Sequence, residues 1–140
     1  MLNSAVDKKE GSVPVTVVRL EGELDASNYE SLIAQTEELY ENGTRDLLLD
    51  LENVDFVSSS GLIGLHSIAL IMRGETLSDP EEGWAAFRAV SRDMITTGGE
   101  ETHFKLLKPQ PLVRKVLDTS GFSEFMPVFE DEETAVASFS

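Results

Sequence analysis

The chain has 140 residues, 41% hydrophobic and 26% charged, a balance that suits one domain with a real core and argues against wholesale disorder. Eleven Lys and Arg stand against 26 Asp and Glu, a net charge of −15, which excludes a phosphate-backbone or anionic-membrane binder and favours a partner with a basic face. With no cysteine and two histidines, disulfides, thiolate chemistry and Cys-based zinc sites are excluded as well.

The first twelve residues are polar and small and read as a flexible N-terminal tail, leaving residues 13–140 as a single domain. No signal-peptide core and no run of membrane-spanning length is present, so a soluble, cytoplasmic protein without membrane insertion is expected. Val13 to Leu20 (VPVTVVRL) is β-branched and reads as a strand, with Pro14 at its beginning and a kinked continuation through Gly22 to Leu24. Ser27, with Glu30 three residues on, reads as the capping box of a first helix. Tyr29, Leu32, Ile33, Thr36, Leu39 and Tyr40 follow at helical spacing, and Gly43 suits the helix C-cap.

Asp46 to Leu51 (DLLLDL) is an apolar run too short for a helix, best explained as a strand with parallel neighbours and helices on both faces. Asn53 to Ser58 reads as a connection into a second helix running from Ser59 or Ser60 to Arg73 and stopped by Gly74. That helix is apolar around most of its circumference and should be deeply packed. Residues 75–101 read as an insertion with an extra helix near 79–96, opened by Asp79-Pro80 and striped by Trp84, Phe87, Val90, Met94 and Ile95. It is either a helix packed onto the domain or an added partner surface. His103 to Lys108 reads as a strand, Pro111 to about Gly121 as a helix, and Phe125 to Phe129 as a short strand. Glu130 to Glu133 then place acid at the positive end of a final helix. The order is that of an alternating α/β domain.

The informative stretch is Asp50-Leu51-Glu52-Asn53-Val54-Asp55-Phe56-Val57-Ser58-Ser59-Ser60-Gly61-Leu62. It runs from a buried strand to three serines at the mouth of a helix. Helix N-termini leave backbone N–H groups unpartnered and carry partial positive charge, so a phosphate on one of these serines is locally tolerated. The same serines also serve as ordinary caps. A triad of Ser59, His66 and a carboxylate lacks a nucleophile elbow, a Walker-type loop is missing, and the acidic run lacks the spacing of a calcium loop. A non-enzymatic binding protein, with no cofactor and no metal, is expected.

Those residues resemble the signature of the STAS domain of bacterial anti-sigma-factor antagonists: a strand ending in Asp or Asn, a loop with an apolar residue, then Asp-Ser-Ser/Thr-Gly-Leu opening a helix. Arg19-Leu20-Glu21-Gly22-Glu23-Leu24-Asp25 is similar to the family's other recurrent segment, and Val116 to Phe122 and Phe129 to Ala135 also fit. The resemblance implies a mixed β-sheet with helices packed against it. It implies partner switching: docking on an anti-sigma serine kinase, release on phosphorylation, and restoration by a phosphatase. By motif position the phosphoacceptor is Ser59; three consecutive hydroxyls leave Ser58 and Ser60 as alternatives, and Ser58 stands where the family has Asp. Asp25, Asp55, Phe56, Ser58, Ser59, Ser60, Gly61 and Leu62 are the expected partner-binding residues. The alternative within the family is a scaffold or regulatory subunit of a stress-signalling or transport complex, indifferent to phosphorylation. The oligomeric state is left open.

Overall fold

The computed structural model describes residues 2–73, 103–124 and 126–139. Gly74, the whole insertion with its expected helix near 79–96, and Phe125 lie outside the described residues. The architecture is α/β. One five-stranded mixed sheet, in the order β1-β2-β3-β4-β5, carries four helices among the described residues.

The N-terminal segment is not a tail. Leu2–Glu10 forms β1, paired antiparallel with β2 (Pro14–Leu24) over its whole length, from Leu2 opposite Gly22 to Glu10 opposite Pro14. Eight of its nine residues are exposed, so it carries none of the apolar alternation that marks a half-buried strand. Backbone pairing to β2 holds it instead.

β3 (Leu47–Val57) and β4 (Phe104–Leu107) follow β2 as parallel strands, and β5 (Val128–Phe129) closes the sheet. Leu47, Leu48, Leu49, Phe104, Leu106 and Leu107 are fully buried, as expected for central parallel strands covered on both faces.

One face of the sheet packs α1 (Tyr29–Glu41), α2 (Ser59–Met72) and α3 (Pro111–Thr119) over Val18, Leu20, Leu24, Leu49, Leu51, Val54 and Leu106. The other face holds α4 (Glu132–Ser138), whose Ala135 and Val136, with Phe139, seal Val15, Val17, Leu48 and Leu107. Each fully buried aliphatic side chain contributes about 1.5–3 kcal/mol. The two clusters therefore supply most of the driving force for folding.

Local chemistry sets the helix ends. At the end of α1 the Gly43 N–H bonds to the Tyr40 carbonyl (3.1 Å) and the Thr44 N–H to the Leu39 carbonyl (3.0 Å), a Schellman closure with Gly43 at φ +108°. The start of α1 departs from the expected capping box. Asn28 is the cap residue, and Ser27 lies in the preceding turn. That turn is tied by Asn28 Oδ1 accepting the Asp25 N–H (3.0 Å) and by Asn28 Nδ2 donating to the Glu23 carbonyl (2.8 Å). Asp25 Oδ1 accepts the Ser27 N–H two residues on (3.0 Å), so an Asx-type turn has won over a serine cap. α4 is capped by Asp131, whose carboxylate accepts the Thr134 N–H at 2.9 Å.

The segment 53–58, expected as a plain connection, is strand as far as Val57. Two offsets interrupt its pairing with β2. Arg19 opposes Asp50 but Glu21 opposes Asn53, and Gly22 opposes Val54 but Glu23 opposes Phe56. β3 thus carries two more residues than β2 over this stretch, and each offset is a β-bulge that bends and re-aims the strand.

Candidate functional site

The C-terminal ends of the parallel strands deliver the chain to the serine triplet. β3 ends at Val57 beside Leu24, and the Ser58 N–H bonds to the Leu24 carbonyl at 2.9 Å. α2 begins at once, with Ser58 as its N-cap: extended backbone (φ −83°, ψ 178°) and a hydroxyl oxygen that accepts the Gly61 N–H at 3.1 Å. An Asp at such a position caps in the same way, and serine does so without a charge.

The three serines are therefore not equivalent. Ser58 is half-buried and its oxygen is occupied as the cap. Ser60 is also half-buried, whereas Ser59 is exposed on the first turn of α2.

Gly61 explains why the helix can start there. A Cβ at this position would lie 2.6 Å from the Leu24 carbonyl oxygen and 2.9 Å from Val57 Cγ1. The absence of a side chain lets the α2 N-terminus press against the ends of β2 and β3. Gly64 makes a looser approach of the same kind to Tyr29, where an added Cβ would lie 3.2 Å from the Tyr29 Cβ.

Asp25, Ala26 and Ser27 from the β2–α1 turn and Ser58, Ser59 and Ser60 from the α2 start line one open depression. The Asp25 carboxylate accepts from the Ser27 hydroxyl (2.6 Å) and the Ser27 N–H (3.0 Å), and these bonds hold it below the usual carboxylate range. It is thus ionised at neutral pH. None of the lining residues is basic.

The site residues expected from the sequence divide into three groups. Asp25, Ser58, Ser59 and Ser60 come together around the depression. Asp55 and Phe56 are exposed on the bulged end of β3 just before it, Phe56 with 41% of its surface accessible. Gly61 is buried against Leu24, and Leu62 is half-buried, packed in part onto the main core. Sequence reasoning misses Ala26 and Ser27 as lining residues. The Asp-x-Ser pattern at 25–27 is the available signal, but Ser27 in sequence reads as a helix cap.

His66 cannot serve Ser59. It is 2% exposed, sits edge-to-face with Phe122 at 4.5 Å, and burial pushes its pKa down to about 3. Among the described residues no group of three or more His, Asp and Glu side chains is arranged to hold a metal ion. Among the same residues no helix is long and apolar enough to cross a membrane.

The chain is similar to known proteins in sequence and in fold. The family model of the STAS domain matches residues 6–73. BtrV of Bordetella bronchiseptica, which carries the name of an anti-sigma factor antagonist, is 27% identical over 134 residues, covering 96% of this chain and 91% of BtrV. The crystal structure of an anti-sigma factor antagonist from Mycobacterium paratuberculosis matches with a TM-score of 0.66 at 20% identity, over 99% of this chain and 93% of that one. At that identity the likeness is one of fold. The anti-sigma factor antagonist SpoIIAA in its unphosphorylated form matches with a TM-score of 0.55 at 25% identity, over 94% and 93% of the two chains. All three relatives carry the name of anti-sigma factor antagonists, and the chain shares the fold of the two solved structures.

Proposed function

We propose that the chain, whose residues 6–73 match the STAS domain family model, is an anti-sigma-factor antagonist working by partner switching. In the unmodified state the face made by Asp25, Asp55, Phe56 and Ser58–Ser60 docks on an anti-sigma factor that is also a serine kinase. Phe56 supplies an apolar anchor, and Asp25 and Asp55 supply charge complementary to a basic surface.

The kinase transfers the γ-phosphoryl group of ATP to Ser59 Oγ. The hydroxyl proton passes to a base of the kinase, and ADP leaves. The product carries about −1.5 to −2 added charge on the docking face. Because the lining residues include no cation, that charge is not neutralised within the depression. A kinase brings an anionic nucleotide to the hydroxyl it modifies, so the phosphorylated face meets both bulk and like charge and is released. A phosphatase restores binding by hydrolysing the phosphoserine.

The observation that supports Ser59 above its neighbours is the division of labour at the helix start. Ser58 is committed to capping α2 and Ser60 is half-buried, while Ser59 is exposed. Phosphopeptide mapping of the protein purified from its host, as wild type and as Ser58→Ala, Ser59→Ala and Ser60→Ala, tests this. A phosphoryl group present in all but Ser59→Ala is expected. Modification that persists in Ser59→Ala would overturn the assignment.

A second reading draws on Ser58 standing where the family has Asp: a constitutive scaffold or transport-complex subunit with no phosphorylation control. It predicts that none of the four proteins is modified.

A further inference from the structure

The Arg19 guanidinium ties β2 to three other segments of the chain on the sheet face opposite α1 and α2. Its Nη1 donates to Asp50 Oδ2 in β3 at 2.9 Å and to Glu132 Oε1 in the first turn of α4 at 2.6 Å. Its Nε donates to Asp7 Oδ2 in β1 at 3.0 Å. Three carboxylates around one cation are more than neutrality requires, and they hold the guanidinium charged and in place. None of these residues lines the depression at Ser59.

Asp50 is 5% exposed, and its second carboxylate oxygen is also engaged, with Oδ1 accepting the Glu52 N–H at 2.9 Å. Glu52 lies inside the first bulge of β3, between the pairs Arg19–Asp50 and Glu21–Asn53, and has no partner in the register with β2. A bulge lacks the ladder bonds that fix regular strand, so its shape depends on whatever side chains hold it. The Glu52 N–H is held by Asp50, and the Glu52 carbonyl accepts from Gln110 Nε2 at 2.9 Å. From Glu52 the strand runs through the second bulge directly to Ser58.

We propose that Arg19 is a positioning residue for the Ser58–Ser60 face, holding the β3 bulge at Glu52 through Asp50, and that Glu132 makes helix α4 part of the same support. Without the cation, nothing holds the Asp50 carboxylate on Oδ2, and as the buried side chain turns toward water it releases the Glu52 N–H from Oδ1. The path from α4 toward the serine face runs through the side chains of Glu132, Arg19 and Asp50 to the backbone of Glu52. Its meaning for regulation rests on Ser58–Ser60 being the working face. The support itself is measurable with no partner present, so failure of one claim is visible separately from failure of the other.

Amide hydrogen exchange read by NMR on the full chain tests it, with Leu49 and Leu106 as core references. In Arg19→Met the amides of Glu52 and Ser58–Gly61 are expected to exchange about tenfold faster relative to those references, the loss of one charge-assisted bond. Arg19→Lys keeps a cation for Asp50 and is expected to restore Glu52 to within about threefold of wild type, which a merely space-filling role would not predict. Glu132→Gln is expected to accelerate Glu52 together with Ala135, by a smaller factor than Arg19→Met. Wild-type exchange at Glu52 in Arg19→Met, or equal acceleration at Leu49 and Leu106, would overturn the proposal. Should Arg19→Met fail to fold, Glu132→Gln decides it: faster exchange at Glu52 supports the coupling, and unchanged exchange there overturns it.

Discussion

At Gly61 the tolerance of the fold is a matter of tenths of an ångström. A methyl group there meets the Leu24 carbonyl, a backbone atom that cannot swing aside. Gly61→Ala should therefore destabilise the protein by about 1–3 kcal/mol, since α2 must back away from β2 and β3. Ser58→Ala removes the α2 cap and should cost about 1 kcal/mol, whereas Ser58→Asp keeps the cap and should be neutral or slightly stabilising. Urea denaturation of the three variants checks the order; a Gly61→Ala protein as stable as wild type would contradict the close packing described.

His66 carries a pH dependence of definite sign. Its folded pKa, about 3, lies below the unfolded value of about 6.5, so the unfolded chain takes up a proton that the folded one refuses. Stability is full above about pH 6.5 and falls by about 1.4 kcal/mol per unit as pH drops below it. Glu132, its pKa lowered by Arg19, acts in the same direction at lower pH. Urea midpoints at pH 7 and pH 5 should differ in wild type and converge in His66→Leu.

Among the elements, β1 departs most from what the sequence suggests. Nothing in LNSAVDKKE alternates, because eight of its nine residues are exposed and the strand is held by backbone pairing, helped by the Asp7 ion pair with Arg19. Such pairing is non-local and leaves no local pattern. If β1 is structural, removal of residues 2–10 strips β2 of its antiparallel partner and exposes a long edge rich in Val. The shortened protein should melt lower and self-associate, as judged by thermal circular dichroism and gel filtration. A truncated protein that melts like the full chain would mean the segment is indeed a tail.

The opposite case is α2, whose apolar residues on all sides announce deep burial and whose residues 61 and 63–72 are all buried. The central strand DLLLDL is legible for the same reason. The bulges of β3 are not: a two-residue offset between neighbouring strands is a property of their pairing, and residues 53–58 therefore read as loop. The serine cluster is legible from its place before a helix. Which serine caps and which is exposed depends on the angle at which β3 delivers the chain.

For the whole molecule, the −15 charge and the absence of basic residues lining the depression support the proposed docking on a basic partner. Association should accelerate at low ionic strength and weaken as salt screens the field over the Debye length, about 8 Å at physiological salt. A partner affinity unchanged between low and high salt would show that Phe56 and shape, with no help from charge, carry the docking.

The central claim is that one exposed hydroxyl at the start of α2 decides whether this chain is bound. It is tested by using wild type, Ser59→Ala and Ser59→Asp as baits in host lysate and identifying the captured proteins by mass spectrometry. The account predicts that an ATP-binding anti-sigma serine kinase is recovered with wild type and Ser59→Ala and lost with Ser59→Asp. Recovery of the same partner by all three baits would contradict it, leaving Ser59 as a plain first-turn residue and the chain as a constitutive subunit.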